Sequence, residues 1–373
     1  MRLDDAAGRI ASREITSSID VPPFSRSAMD GYAVRAADTI RASRQAPVRL
    51  RLVDRVFTGQ PSSVTVPAGA CAEIATGAPL PGGADAVVMV EETAREGESL
   101  IQVLAAAAPG QHVGRRGTDI TTGGRVISAG DVLTPSRIGA LAATGNADVE
   151  VIAKPRVAIL STGNEIVEPG RALAAGQIYD VNRFTLSAVV SAHGGVPEPH
   201  RSAQDSLDAL LNALDACAGA DLIVFSGGSS VGERDLIMDA VAARGEMIFH
   251  GIAVRPGKPT AFATIRGTPF FGMPGNPTSC LSNAYILLVP FLRALACLPP
   301  YVPRVVRVPL GRRIVSAAGR HQFYTVRLRD GAALPAFKGS GDITSLSEAD
   351  GYLEIPADQG GVEEGTPVDV TLF

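Results

Sequence analysis

Tryptophan is absent from the 373 residues and tyrosine occurs only six times. Single-strand nucleic-acid binding by base stacking needs aromatic platforms, and this chain offers few. Positive charge does not dominate either. Lys and Arg number 34 against 38 Asp and Glu, a formal net charge of −4 that weighs against a nucleic acid or an anionic membrane surface as partner. The four cysteines (Cys71, Cys217, Cys280, Cys297) form no CxxC pair, and the five histidines lack zinc-site spacing. Lone thiols in apolar surroundings fit buried cysteines in a reducing cytosol. The opening MRLDDAAGRI carries acids at once and has no apolar core segment, which excludes a signal peptide. The most apolar later run, AYILLVPFLRALA (284–296), reads as too short to cross a bilayer and is interrupted by Pro290 and Arg293. A cytoplasmic protein with neither membrane nor nucleic-acid partner is expected. The common nucleotide fingerprints are missing too: there is no GxxxxGK[ST], and no GxGxxG follows a strand. No nucleophile elbow appears.

What is present suits a packed globular chain: 46% apolar residues, a mean hydropathy of +0.17, 40 glycines and 26 prolines. The length predicts two or more domains. From residue 20 to 150 short strands such as VRLRLVD (48–54), AVVMVEE (86–92) and ESLIQVL (98–104) alternate with Gly/Pro turns. A helix over 134–145 follows, with Pro135 in its first turn and Gly145 at its end. From Pro155 the pattern alternates. Strands 156–161, 221–228, 246–250 and 268–274 are interleaved with helical periods at 182–193, 206–219 and 233–244, and a long helix runs from Thr278 to Leu295. Such βα units predict a mainly parallel sheet covered on both faces, with the ligand site at the strands' carboxyl ends. After PPYVPR (299–304) short strand-like runs return, predicting a small all-β domain.

Three glycine-rich loops follow the three strongest strands: STGNE (161–165), SGGSSVGERD (226–235) and MPGNPTS (273–279). Glycines let backbone N–H groups approach an anion, helix N-termini add partial positive charge, and Ser226, Ser229, Ser230 and Ser279 add hydroxyls. Turns are built from the same residues, but three such loops at one sheet edge point to a phosphate-rich ligand. Glu165, Asp180 and Asp235 stand in or beside them, either as Mg²⁺ ligands or, for Asp235, as a helix-start acid. AVRPGKPTAF (253–262) places Arg255 and Lys258 about a bend at Gly257, between Pro256 and Pro259. Three further polar loops lie earlier in the chain: SRSAMDGYAV (25–34) with Asp30, ATGAPLPGGADAVVMVEE (75–92), and GRRGTDI (114–120) with Arg115, Arg116 and Asp119.

Together these motifs resemble the molybdopterin molybdenumtransferase family, the molybdenum insertases related to the E domain of gephyrin. They run in the family's order, with RVAILSTGNE, DLIVFSGGSSVGERD, RPGKP and MPGNPTS in the centre and KGSGDITSL (338–346) near the end. The resemblance implies an α/β multidomain fold. A split linker domain would comprise residues 1–20 plus 124–153, and a β-rich domain residues 21–123. A molybdopterin-binding α/β domain would span 154–303, and a small C-terminal β-barrel 304–373. It implies insertion of molybdate into adenylylated molybdopterin, with Mg²⁺-dependent release of AMP, by a homodimer whose site forms between the N-terminal β-rich domain of one subunit and the central domain of the other. Molybdopterin adenylyltransferase and molybdoenzymes or their chaperones become expected partners.

By the same resemblance Asp30, Thr76, Asp119, Glu165 and Asp235 match catalytic positions, with Asp205 a looser match. Arg255, Lys258, Ser279 and Ser340 match molybdate-binding ones. Ser226, Gly227, Gly228, Ser230, Pro274, Gly275, Asn276 and Pro277 match the pterin and nucleotide loops, and Glu165, Asp180 and Asp235 the metal. A tetrahedral dianion suits cations and hydroxyls, because charge-assisted hydrogen bonds are about twice as strong as neutral ones.

Several positions depart from the pattern. Gly251 stands where a lysine is frequent, Arg255 replaces another lysine, Asn164 replaces an aspartate and Ser229 a valine. Thr325 occupies the place of an anion-binding arginine, with Arg320 or Arg327 as substitutes. The leading segment is shorter than the family's by about a helix. These departures keep a second reading open: a divergent paralogue that binds the pterin or a protein partner without inserting metal. An adenylyltransferase acting one step earlier would not need the flanking β domains.

Overall fold

The computed structural model describes residues 1–200, 206–227, 236–316 and 319–373. The chain divides into two compact units, Met1–Ile152 and Ala153–Phe373.

In the first unit a six-stranded sheet runs in the order Ala86–Met89, Gly31–Val34, Ala70–Ile74, Val48–Val56, Leu100–Val103, Thr93–Glu96. Every pairing is antiparallel except Val48–Val56 with Ala70–Ile74. Side chains alternate between two buried clusters, Val34 and Cys71 on one face and Ala33 and Ala72 on the other, as the two-residue period of a strand requires. The expected strand AVVMVEE ends at Met89, where Val90–Glu92 turns into a 3₁₀ helix. A separate small core joins Ala6 and Ala11 to Ile127, Leu133, Leu141 and Val149. The helix Pro135–Ala143 starts as its sequence predicts, with the Thr134 side chain accepting from Arg137 N and Pro135 in the first turn.

The second unit is organised around a mixed sheet ordered Val196–Pro199, Arg156–Ser161, Leu222–Ser226, Thr268–Met273, Ala261–Ile265, Gly245–His250. The first four strands are parallel, and the last two join antiparallel. Both faces are covered, which is why RVAILS and LIVFS read as unbroken apolar runs. Ala158, Leu160, Ile223 and Phe225 point to a cluster under the helices Leu207–Ala216 and Leu236–Arg244. Val157, Ile159, Leu222 and Val224 point to another under Asn182–Ala192 and the helix beginning at Pro277. The strand Ala261–Ile265 was not expected. It pairs with Thr268–Met273 through the two-residue turn Arg266–Gly267, whose positive φ values of 50° and 85° are those of a tight hairpin turn.

The last helix runs Pro277–Asn283, widens into a π turn at Ala284–Leu288 just ahead of Pro290, and ends as Val289–Leu295. The whole helix, Pro277–Leu295, is longer than its most apolar run, and its 19 residues, with a mean hydropathy of 1.3, are enough to cross a membrane by length and composition alone. Here half of that stretch is buried, with Ala284, Leu288, Val289 and Leu292 packed beneath the sheet. Cysteine burial needs a correction. Cys71, Cys217 and Cys280 are buried, but Cys297 is exposed.

The C-terminal strands follow the order His321–Arg329, Gly351–Ile355, Pro367–Leu372, Val305–Pro309. Ala332–Pro335 pairs with the first of these, and a bridge from Leu310 to Ala333 closes the ring. Its core holds Leu310, Val326, Leu353, Ile355 and Val370. One short strand, Val254–Arg255, comes from the central region and pairs in parallel with His321–Arg329, setting Arg255 opposite Gln322.

Candidate active site

Polar loops gather at the carboxyl ends of the central parallel strands. Ser161 pairs with Ser226 and Ser226 with Met273 across the sheet, so the three glycine-rich loops leave from adjacent points. Thr162 N donates to Ser226 O at 3.2 Å. Gly227 has φ +134°, and a Cβ there would overlap the Thr162 carbonyl and stand 2.8 Å from its Oγ1, so only glycine fits. A residue that the sequence reading missed ties the loops together. The buried Asn182, at the start of its helix, donates from Nδ2 to Ser226 Oγ at 2.7 Å and to Gly275 O at 2.7 Å. Its Oδ1 and the Thr162 Oγ1 are buried without a partner among the described residues. Ser226, Gly227, Pro274 and Gly275 are thus brought together, while Gly228, Ser229, Ser230, Asp235 and Asp205 lie outside the described residues.

The two described acids differ. Glu165 is exposed, its Oε2 2.8 Å from where a Gly163 Cβ would stand. Asp180 is buried and engaged: Ser161 Oγ donates to Oδ2 at 2.9 Å, Arg183 N donates to Oδ1 at 3.1 Å, and the Arg183 Nε lies 3.5 Å from Oδ2. Among the described residues no group of three or more His, Cys, Asp or Glu could hold a metal ion.

The cationic turn 253–262 lies on the last helix. Asn283, fully buried, donates from Nδ2 to Gly257 O at 2.8 Å and to Thr260 Oγ1 at 2.5 Å. Arg255 and Lys258 are exposed, and neither enters an ion pair among the described residues. At the start of the same helix, the KGSGDITSL loop is clasped on. Asn276 Nδ2 donates to Ser340 Oγ at 3.1 Å, Thr278 N to Ser340 O at 3.1 Å, and Thr278 Oγ1 to Asp342 O at 2.7 Å. Ser279 is buried one position further on, and Pro277 fills the first turn. Burial pushes the Tyr324 hydroxyl up, and the charges of Arg312 and Arg255 pull it back, which sets Arg312, unremarked in the sequence, near this region.

In the N-terminal unit the predicted Asp30 and Thr76 meet. Thr76 N donates to Asp30 Oδ1 at 2.7 Å and, with the Thr76 hydroxyl, holds this exposed carboxyl below the usual carboxylate range. Gly31 must be glycine, since a Cβ would run into the Val88 carbonyl. The Asp119 side chain is exposed, its backbone N donating to Val21 O at 3.0 Å. Its loop pairs with the first, Gly114 opposite Arg26, and Arg116 is engaged by Asp20 at 2.6 Å.

Three family models match consecutive parts of the chain. They are the MoeA N-terminal region (domain I and II) over residues 1–145, a "Probable molybdopterin binding domain" over 158–294, and the MoeA C-terminal region (domain IV) over 307–373. Molybdopterin molybdenumtransferase 2 of Mycobacterium tuberculosis is 36% identical over 99% of this chain and 93% of its own length. The chain belongs to the molybdopterin molybdenumtransferase (MoeA) family. The molybdopterin molybdenumtransferase of Haemophilus influenzae is 32% identical over 100% of this chain and 93% of its own. A crystal structure of a MoeA molybdopterin biosynthesis protein from Pyrococcus horikoshii superposes with a TM-score of 0.87 at 41% identity, covering 100% of this chain and 93% of that one.

Within the MoeA family pattern, the unusual residues of this chain take definite places. Gly251 adopts φ +86° and donates its N–H to Thr260 O at 2.9 Å, closing the base of the cationic turn in a backbone conformation that a lysine would strain. Thr325 is buried at 2% exposure, its Oγ1 without a partner among the described residues. Of the two arginines named as substitutes, Arg327 is bound to Glu348 through both an ion pair and a bond to its carbonyl at 2.7 Å, whereas Arg320 is exposed. Asn164 is exposed in its loop.

Proposed function

We propose that this MoeA-family chain inserts molybdenum into molybdopterin, taking molybdate and adenylylated molybdopterin and releasing AMP. The observation that carries this reading is the pair of exposed cations Arg255 and Lys258, without an ion pair among the described residues, on a turn fastened to the helix whose first turn is clasped to Ser340. A tetrahedral oxyanion asks for such a set: fixed positive charge, serine hydroxyls and a helix start. Ser340 Oγ already accepts from Asn276, which leaves its own proton to donate to an anion. The glycine loops knitted by Asn182 receive the phosphate-bearing pterin, their backbone N–H groups facing the anion.

Magnesium is held in phosphoryl sites by one or two carboxylates together with substrate phosphates and water, and it supplies neutralising charge there. Glu165, exposed over Gly163, fits that description. Asp180 does not, because its carboxylate is committed to Ser161 and the start of the Asn182–Ala192 helix. The enzyme acts as a cytoplasmic homodimer in this reading, supplied by a molybdopterin adenylyltransferase and delivering to molybdoenzymes. The exposed Met29, Phe57 and Val90 beside Asp30 and Thr76 support a protein-facing role for that surface.

The test is incubation with adenylylated molybdopterin, Mg²⁺ and molybdate, following AMP release and reconstitution of an apo-molybdoenzyme. Molybdate-stimulated AMP release supports the assignment. Tight binding of the adenylylated pterin with no response to molybdate refutes it and leaves the non-inserting paralogue.

A further inference from the structure

We propose that Asn283 is the positioning residue of the oxyanion pocket: its side-chain amide fixes the turn that carries Arg255 and Lys258 over Ser279. The proposal rests on the molybdate reading given above. Asn283 lies at the end of the Pro277–Asn283 helix, four residues after Ser279, so the two share one helix face. Ser279 is 3% exposed and Asn283 fully buried.

The amide spends both of its donors on the turn, one on the Gly257 carbonyl and one on Thr260 Oγ1, while Thr260 Oγ1 in turn donates to Gly257 O at 2.9 Å. The orientation of the amide is set by the Gly257 carbonyl, which can only accept. On the other side of the contact, Gly257 has φ +106°, and a Cβ there would collide with the Asn283 amide. Close packing and hydrogen bonding therefore specify the same arrangement.

The turn has little other support near the cations. Ile252 N and Thr260 N both bond the Lys258 carbonyl at 2.9 Å, which closes the loop on itself without anchoring it to the helix. Among the described residues the flanking backbone anchors are the pairing of Val254–Arg255 with His321–Arg329 before the bend and that of Ala261–Ile265 with Thr268–Met273 after it. Between them, Asn283 ties Gly257 and Thr260, on either side of Lys258, to the helix that carries Ser279. Two long cationic side chains act on a small dianion only if their backbone is fixed, since side-chain entropy otherwise offsets the charge attraction. Asn283 itself need not touch the anion.

Two variants test this. N283A removes the amide, and N283L removes the hydrogen bonds while keeping the branched heavy-atom skeleton, so it covers the case in which the alanine variant fails to fold. Three readouts are taken on the full-length protein: hydrogen exchange at the amides of Gly251, Ile252 and Thr260, KM for molybdate, and affinity for adenylylated molybdopterin. The expected result is exchange at those three amides at least ten-fold faster and KM for molybdate raised roughly ten-fold, with pterin affinity within two-fold of the unmodified enzyme. A merely space-filling Asn283 predicts that N283L behaves like the unmodified enzyme in every readout, which overturns the proposal. Faster exchange with an unchanged KM for molybdate overturns it as well. An unmodified enzyme that shows no molybdate-dependent turnover refutes the molybdate reading itself, and the proposal falls with it.

Discussion

Replacing Asn182 by alanine should unlock two of the three glycine loops, those at Ser226 and Gly275, from each other, and the size of the effect follows from its contacts. The amide is 8% exposed and makes two bonds of 2.7 Å, to Ser226 Oγ and to Gly275 O. Ser226 is buried, whereas Gly275 is exposed and its carbonyl can turn to water; a buried polar group left unpaired costs about 1–3 kcal/mol. Ser226 keeps a weaker contact with Pro274 O at 3.4 Å, so its share falls at the low end. Together the loss is about 1–3 kcal/mol. For a unit of this size that corresponds to a fall in melting temperature of roughly 2–12 °C. The assay is calorimetric melting of the purified variant, with adenylylated molybdopterin titrated in parallel. Because Gly227 and Gly275 approach each other beside the amide, affinity for the pterin should fall along with stability. A variant that melts within 1 °C of the unmodified protein and binds the pterin equally well would refute the reasoning, since it would mean that the loops hold their register without the amide.

Further outcomes follow from the same structure. Asp30 is held below the usual carboxylate range by the Thr76 backbone N–H, so the contact is fully present above the unfolded value of about 3.9 and is lost as pH falls through the depressed folded value. The Thr76 amide resonance should therefore titrate with a midpoint below about 3.9, and D30N should abolish that titration. K258A should weaken molybdate binding about ten-fold in a titration, as expected for the loss of one charge-assisted contact, while R255K, which keeps the charge but not the planar fork, should change it by less than about three-fold; equal effects of the two would contradict the assigned geometry. Alkylation of the native protein should modify Cys297 alone. Cys217 is buried with its thiol pushed up to about 11, and Cys71 and Cys280 are buried with theirs pushed up to about 12. Labelling of a second cysteine before unfolding would show that the core opens.

Much of the fold can be read from the chain because its signals are local. RVAILS and LIVFS are unbroken apolar runs because helices cover both faces of their sheet, and the glycine loops after them are visible as composition. The strand Ala261–Ile265 escaped notice because AFATI follows directly on the PGKPT turn, with the Arg266–Gly267 bend as its only punctuation. The pairing of Val254–Arg255 with His321–Arg329 joins segments more than sixty residues apart, and no periodicity encodes it. In the site, motif residues such as Ser226, Gly275 and Ser340 were legible, but the amides that hold them were not. Asn182 and Asn283 are single polar residues within helical text, and only burial and the carbonyls opposite them reveal their work. Thr325 illustrates the reverse case. It occupies the place where the resemblance puts an anion-binding arginine, and only the structure shows that this place is buried.

The short parallel pairing of Val254–Arg255 with His321–Arg329 also bears on modularity. A region that matches its own family model invites exchange between relatives as a self-contained cassette. Here the seam does not coincide with the linker at 299–304. The C-terminal ring takes its outermost strand from residues on the far side of that linker, and one of the two cations sits on it. A chimera cut at the linker would graft a foreign barrel beside a native turn, leaving two mismatched halves of one hydrogen-bonded edge. Productive exchange would have to carry residues 251–260 along with the barrel, so the unit to be exchanged is discontinuous in the chain.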